Sequence, residues 1–164
     1  PRGWEDLSQL IQVYEELGKK ADRELILRAL VLANLISVHQ KKYIGSLSAY
    51  CGATSAACAA GAAVCWMRGG GYEEICGTIT NTLATLGGML CDGAKSSCAA
   101  KIASAVDAAI LGHCMALQNR SFRPGDGIVR GDVEDTIRGV GRIGRDGMRE
   151  TDEEILNIIL EKIS

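Results

Sequence analysis

Apolar and polar positions divide this chain into a charged start, a nearly uncharged middle and a charged end. Residues 1–42 carry 13 charged side chains, residues 43–118 carry seven and residues 119–164 carry 18. The middle therefore reads as the buried part, and the flanks read as amphipathic cover. In "DLSQLIQVYEELGKK", Leu7, Leu10, Ile11, Val13, Tyr14 and Leu17 recur at helical spacing, with Gly18 as a stop. "ADRELILRALVLANLISVHQKKYIG" predicts a long helix, charged at its start and apolar later, that enters the core. Residues 51–67 hold seven alanines, two glycines and no charge. That stretch is too short and too weakly hydrophobic for a membrane span. Small residues let helix backbones approach closely, so it predicts a central buried helix.

Two further core helices follow, an uncharged one over residues 76–91 and another over 96–118, the second capped by Ser96 or Ser97. The Thr-rich first of these has some strand character, but its length favours a helix. Asp132 or Asp135 begins a short helix through Val133, Ile137 and Val140, and "GVGRIGRDG" then breaks or bends the chain. "TDEEILNIILEK" predicts a last helix with a Thr151–Glu154 capping box and an apolar stripe of Ile155, Ile158, Ile159 and Ile163. No alternating strand pattern competes. The fold class is all-α: a helical bundle around an Ala/Gly-rich central helix. Residues 1–164 are expected to form one helical domain, and the start at Pro1 suggests a piece of a longer chain.

Composition narrows the chemistry. The net charge is −2, and aromatics make up 4% of residues. Neither a basic stripe nor stacking platforms are available, so nucleic acid is not an expected partner. Seven cysteines are many for 164 residues, and an odd number prevents complete pairing within one chain. A reduced, cytoplasmic setting follows, where clustered thiols bind metal or act chemically. Cys51, Cys58 and Cys65 are seven apart. On one helix that is roughly 10 Å per step, too far for all three to grip one ion. Cys58 and Cys65 are expected to pack as small hydrophobes. Cys51 stands at the helix entrance, where the helix N-terminus favours a thiolate or an anionic group.

Cys91 and Cys98 are also seven apart, but Asp92-Gly93 is a turn signal between them. A loop with a thiol at each end can fold both sulfurs toward one point, so a metal site and simple packing both remain open. The spacing is not one of the usual zinc patterns. His39 and His113 lie on apolar helical stretches and read as core or groove residues. An all-thiolate site favours zinc or iron–sulfur chemistry over a hard cation.

The segments "YIGSLSAYCGATSAA", "LATLGGMLCDGAKSSCAAKIASAV" and "GIVRGDVEDTIRGVGRIGRDGM" resemble the C-terminal, alpha-type domain of L-cysteine desulfidases and iron–sulfur-dependent L-serine dehydratases. The resemblance runs from about Leu35 to the end. It implies a 4Fe–4S cluster held by Cys51, Cys91 and Cys98, with one iron left open as a Lewis acid and no pyridoxal phosphate. The "CDG" start and the intervals of 40 and seven resemble the desulfidase branch more than the dehydratase branch. The implied reaction is β-elimination from L-cysteine, giving pyruvate, ammonia and sulfide. L-serine dehydration and a non-catalytic helical interaction domain are the alternatives. Lys95, Ser46 and Ser48 are candidate substrate contacts, with Lys101 a weaker one. The general base is expected outside this chain, in an N-terminal domain or separate chain that completes the site. A small amino acid is the expected substrate, no membrane is an expected partner, and a homo-oligomer is open.

Overall fold

A computed structural model describes residues 22–161, together with Gln12, Glu15 and Glu16. The helix expected over residues 6–20, and Ile163, lie outside the described residues apart from those three. Six α-helices make up the described chain: α1 (Arg23–Ile44), α2 (Gly52–Met67), α3 (Tyr72–Leu86), α4 (Ser97–Leu117), α5 (Val133–Arg142) and α6 (Arg149–Glu161). A π-helical turn, Ile143–Gly147, joins the last two. The described residues contain no strand, and the all-α expectation holds.

The central helix is α2. Fourteen of its 16 residues are buried, and it packs against α1, α3 and α4. Small side chains make this possible. A Cβ added to Gly61 would meet the Ala109 Cβ of α4 at 3.0 Å. Between α3 and α4, Gly77 faces Ala116 and Gly112 faces Thr82. The Thr-rich segment is a helix because its hydroxyls bond inside it. Thr78 donates to Glu74 O (2.7 Å), Thr82 to Thr78 O (2.7 Å) and Thr85 to Asn81 O (2.8 Å). Buried Asn81 ties down the exit from α4, donating to Gly112 O and accepting from the Phe122 N–H at 2.9 Å. By length and composition α4 could cross a membrane. Here it is a core helix of the bundle, with Ala105, Val106, Ala109 and Gly112 buried.

Three details differ from the sequence-based expectations. The apolar half of α1 does not enter the core as a whole. Its small residues Ala29 and Ala33 face α2, whereas Leu27, Val31, Leu35 and Val38 are each more than half exposed. Close approach to an alanine helix selects for size ahead of hydrophobicity. Ser96 precedes α4 without a side-chain cap bond. The final helix begins at Arg149, so Thr151 lies within it and is not its cap; no residue of α6 is buried. Ile158 and Ile159 are accordingly exposed. "GVGRIGRDG" takes α5 into a π-helical turn, Ile143–Gly147, and a turn at Met148 separates it from α6.

Candidate functional site

The loop after α1 starts at Gly45, which takes a positive φ of 92°. It runs past Ser46 and Ser48 to Cys51, the N-cap of α2. Ser48 fixes this loop. Its hydroxyl donates to Gly144 O at 2.5 Å and accepts from the Tyr50 N–H at 3.0 Å. Ser48 therefore holds backbone and ties the loop to the π-helical turn.

The loop also meets a segment 40 residues away. Tyr50 and Leu90 form an antiparallel bridge. The Cys51 N–H donates to Met89 O at 3.1 Å, and the Cys91 N–H donates to Ala49 O at 2.6 Å. Alternation on such a ribbon puts residues 49, 51, 89 and 91 on one side and Tyr50 and Leu90 on the other. Cys51 and Cys91 are thus diagonal neighbours on one face, a relation that spans about 7–8 Å. Both pack on the same apolar patch, formed by Ala53, Ala57, Leu86 and Ala105.

Cys98 joins them from the first turn of α4. Gly93 takes a positive φ of 91°, and the chain bends at Ala94 and Lys95 before α4. The Cys98 thiol donates to Gly93 O at 3.4 Å. Cys51 is buried, whereas Cys91 and Cys98 are half-buried, and all seven cysteines are free. The three thiols named from sequence therefore lie at one end of the bundle, in two adjoining segments. Among the described residues, no three His, Cys, Asp or Glu side chains are yet close enough to hold one ion. The donor set still fits a thiophilic group: three free thiols, one of them at the entrance of a 16-residue helix. A thiolate cannot donate a hydrogen bond, so deprotonation of Cys98 removes its tie to Gly93 and frees the side chain.

Charge at this end comes from Asp92, Lys95 and Lys101. Lys101 donates to Leu90 O at 2.8 Å and to the Asp92 carboxylate, which also receives Lys95. These bonds, Lys101 first and Lys95 second, hold the Asp92 carboxyl well below the usual carboxylate range. The Asp92 bond pushes the Lys101 ammonium above its ordinary value against some desolvation, and the charges of Asp92, Cys51 and Cys98 add to the rise. Lys95 is 47% exposed and Lys101 24%. The lysine more closely built into the site is thus the one the sequence favoured less.

A cavity of about 680 Å³ opens beside Cys91. Ser46, Ser48, Tyr50, Gly52, Cys91 and Gly93 line one end, and α1 and α6 form its walls. Lys95 is not part of the lining. The α1 wall carries Asn34, Ser37 and Lys41, polar residues overlooked in the sequence. Their spacing of three and four was the available signal, since it places them on one helical face. Tyr50 and Ser55 of the lining, with neighbouring Thr54 and Gln40, are buried, each with a side-chain oxygen that has no partner among the described residues. Burial, with neighbouring Cys58 and Cys51, raises the Tyr50 phenol far above its ordinary value, so it is a neutral hydroxyl.

The other candidates are structural. Cys58 and Cys65 are fully buried, and burial pushes the Cys58 thiol up to about 12. His39 pairs with Glu134 at 2.9 Å. His113 is buried beside Arg68, and burial first, then that charge, lowers its basicity.

A family model described as serine dehydratase alpha chain matches residues 8–157. A UPF0597 protein of Treponema denticola is 52% identical over 151 residues, covering 92% of this chain and 35% of its own length. A UPF0597 protein of Desulfitobacterium hafniense is 51% identical over 145 residues, covering 88% and 34%. One of Lachnoclostridium phytofermentans is 55% identical over 147 residues, covering 88% and 35%. The chain therefore spans about a third of the length of these curated relatives. No solved structure matches it. With the match running through α1 to α6 and including all three thiols, this chain belongs to the serine dehydratase alpha chain family.

Proposed function

We propose that this chain is the cluster-bearing part of an iron–sulfur-dependent lyase that eliminates sulfide from L-cysteine, leaving pyruvate and ammonia. The observation that carries the reading is the pairing of residues 49–51 with 89–91, which brings Cys51 and Cys91 to one ribbon, with Cys91 lining a cavity that also holds Ser46, Ser48 and Lys41. Cys51, Cys91 and Cys98 would hold a 4Fe–4S cluster with three thiolates. Such a cluster, with one iron lacking a protein ligand, supplies a Lewis acid for a leaving sulfur or oxygen. The chain's own residues serve binding and placement. Ser46 and Lys41 line the cavity where an amino acid would sit, and Ser48 keeps that loop in place. Lys95 lies outside the lining and is bonded to Asp92, so its assignment as carboxylate contact has the weaker support. The base that takes the α-proton is assigned to a further part of the protein. The greater length of the relatives supports that assignment.

L-serine dehydration is the second reading, favoured by the description of the matching family. The test is anaerobic reconstitution with iron and sulfide, followed by assays with the longer protein. Pyruvate and sulfide from L-cysteine, exceeding pyruvate from L-serine, are expected. Failure to bind iron in the full protein sinks the cluster assignment, and preference for serine selects the second reading.

A further inference from the structure

Cys91 is held on both sides by one lysine. Lys101 lies three residues after Cys98 on α4, so the two share a helical face. Its ammonium reaches back across the turn to the carbonyl of Leu90 and the carboxylate of Asp92, the two neighbours of Cys91. The Cys91 amide itself is bonded to Ala49. The thiol segment is thus clamped between α4 and the entrance of α2. Lys95 makes only the Asp92 contact and is more exposed.

We propose that Lys101 is the positioning residue of the thiol site: by bonding Leu90 and Asp92 it fixes Cys91 against Cys51, from the helical face that also carries Cys98. Its positive charge also sits where three thiolates, or an anionic cluster, would concentrate negative charge. An arginine can reproduce both bonds and the charge, whereas methionine can reproduce neither. The inference deepens the reading above and rests on it only for the cluster.

The deciding experiment has one arm without metal and one with it. In the 164-residue chain free of iron, amide hydrogen exchange is measured for wild type, Lys101→Met, Lys101→Arg and Lys95→Met. The Cys91 and Cys51 amides report the pairing, and amides within α2 report the fold. Lys101→Met is expected to speed exchange at Cys91 by about tenfold or more, equivalent to about 1.4 kcal/mol of lost local protection. Protection in α2 should persist, Lys95→Met should stay near wild type, and Lys101→Arg should recover most of the protection. Wild-type exchange at Cys91 in Lys101→Met overturns the proposal, whatever happens with iron.

In the second arm the same substitutions in the longer protein are reconstituted anaerobically, and the loss of iron to a chelator is timed. Lys101→Met should lose iron several-fold faster than wild type, with Lys101→Arg intermediate. Equal rates overturn the role toward the cluster. Should wild type itself take up no iron, the lyase reading fails, and the exchange arm still decides the part played by Lys101. A variant that loses α2 protection as well refutes a local role.

Discussion

Two glycines of α5, two residues apart, should respond oppositely to the same substitution. A Cβ added to Gly141 would lie 2.2 Å from the Tyr43 Cβ and 3.0–3.1 Å from Tyr43 backbone atoms. Carbon atoms pack at about 3.5–4.0 Å, so α5 and the end of α1 must separate by more than about 1 Å. Backbone cannot swing aside as a side-chain tip can. Overpacking of this kind costs about 1–3 kcal/mol. Replacing glycine by alanine inside a helix returns about 0.5–1 kcal/mol. Gly141→Ala should therefore lose roughly 1–2 kcal/mol net. Gly139 has only the Ile128 carbonyl oxygen nearby, at 3.9 Å. Gly139→Ala should gain about 0.5–1 kcal/mol. Urea unfolding with unchanged slopes measures both, and the two variants should differ by roughly 1.5–3 kcal/mol. If Gly141→Ala is as stable as Gly139→Ala, the close α1–α5 contact is wrong. The consequence reaches the site, because Tyr43 lies two residues before Gly45, where the chain turns toward Ser48 and Cys51.

The bonds to Asp92 predict a pH signature. Its folded value lies below the usual 3.8, so its stabilising contribution is present above that value and is lost as pH falls toward the folded one. The stability gap between wild type and Asp92→Asn should stay constant from about pH 7 to about pH 5 and shrink by about pH 2.5. A gap that is unchanged or larger in acid would refute the paired carboxylate. Thiol labelling separates packing cysteines from accessible ones. With Cys114 exposed and Cys58 fully buried with its thiol raised, a small alkylating reagent at about pH 8 should modify Cys114 far sooner. Mass spectrometry of the early products checks this, and early modification of Cys58 in folded protein would contradict the core placement.

The helices were legible in proportion to how strongly local composition constrained them. An uncharged run of alanine and glycine left α2 little alternative to a close-packed central position. Of the two aspartates the sequence offered as the start of α5, Asp132 is the cap, its side chain accepting from the Asp135 N–H. The buried side of α1 was not legible. Leu35 looks more suited to a core than Ala33, yet Ala33 is buried and Leu35 is 63% exposed. The decision depends on how near α2 comes, which is a property of two helices together. The Asp92-Gly93 pair suggested a turn between Cys91 and Cys98; Gly93 does take a positive φ, but the bend itself falls at Ala94 and Lys95. The pairing of residues 49–51 with 89–91 spans 40 positions, and no local pattern encodes it. Lys101 was undervalued for the same reason: its partners, Leu90 and Asp92, are 11 and nine residues away.

The three thiols are held to unequal degrees, and this bears on how a shared ligand would be accommodated. Cys51 is buried at the start of the most enclosed helix, and its own amide is bonded across to Met89. Cys91 is half-buried, fixed through its amide to Ala49 and through its neighbours to Lys101. Cys98 depends on a sulfur contact to Gly93, within a turn whose residues 93–97 are exposed. Moving Cys51 would disturb the core around α2, where the packing leaves little room. Moving Cys98 requires a change only in the exposed turn and the first residues of α4. Convergence on one group is therefore least costly if Cys51 and Cys91 act as the fixed pair and Cys98 closes on them. In such a site the exposed segment 93–97 would join the fixed pair to the adjustable thiol.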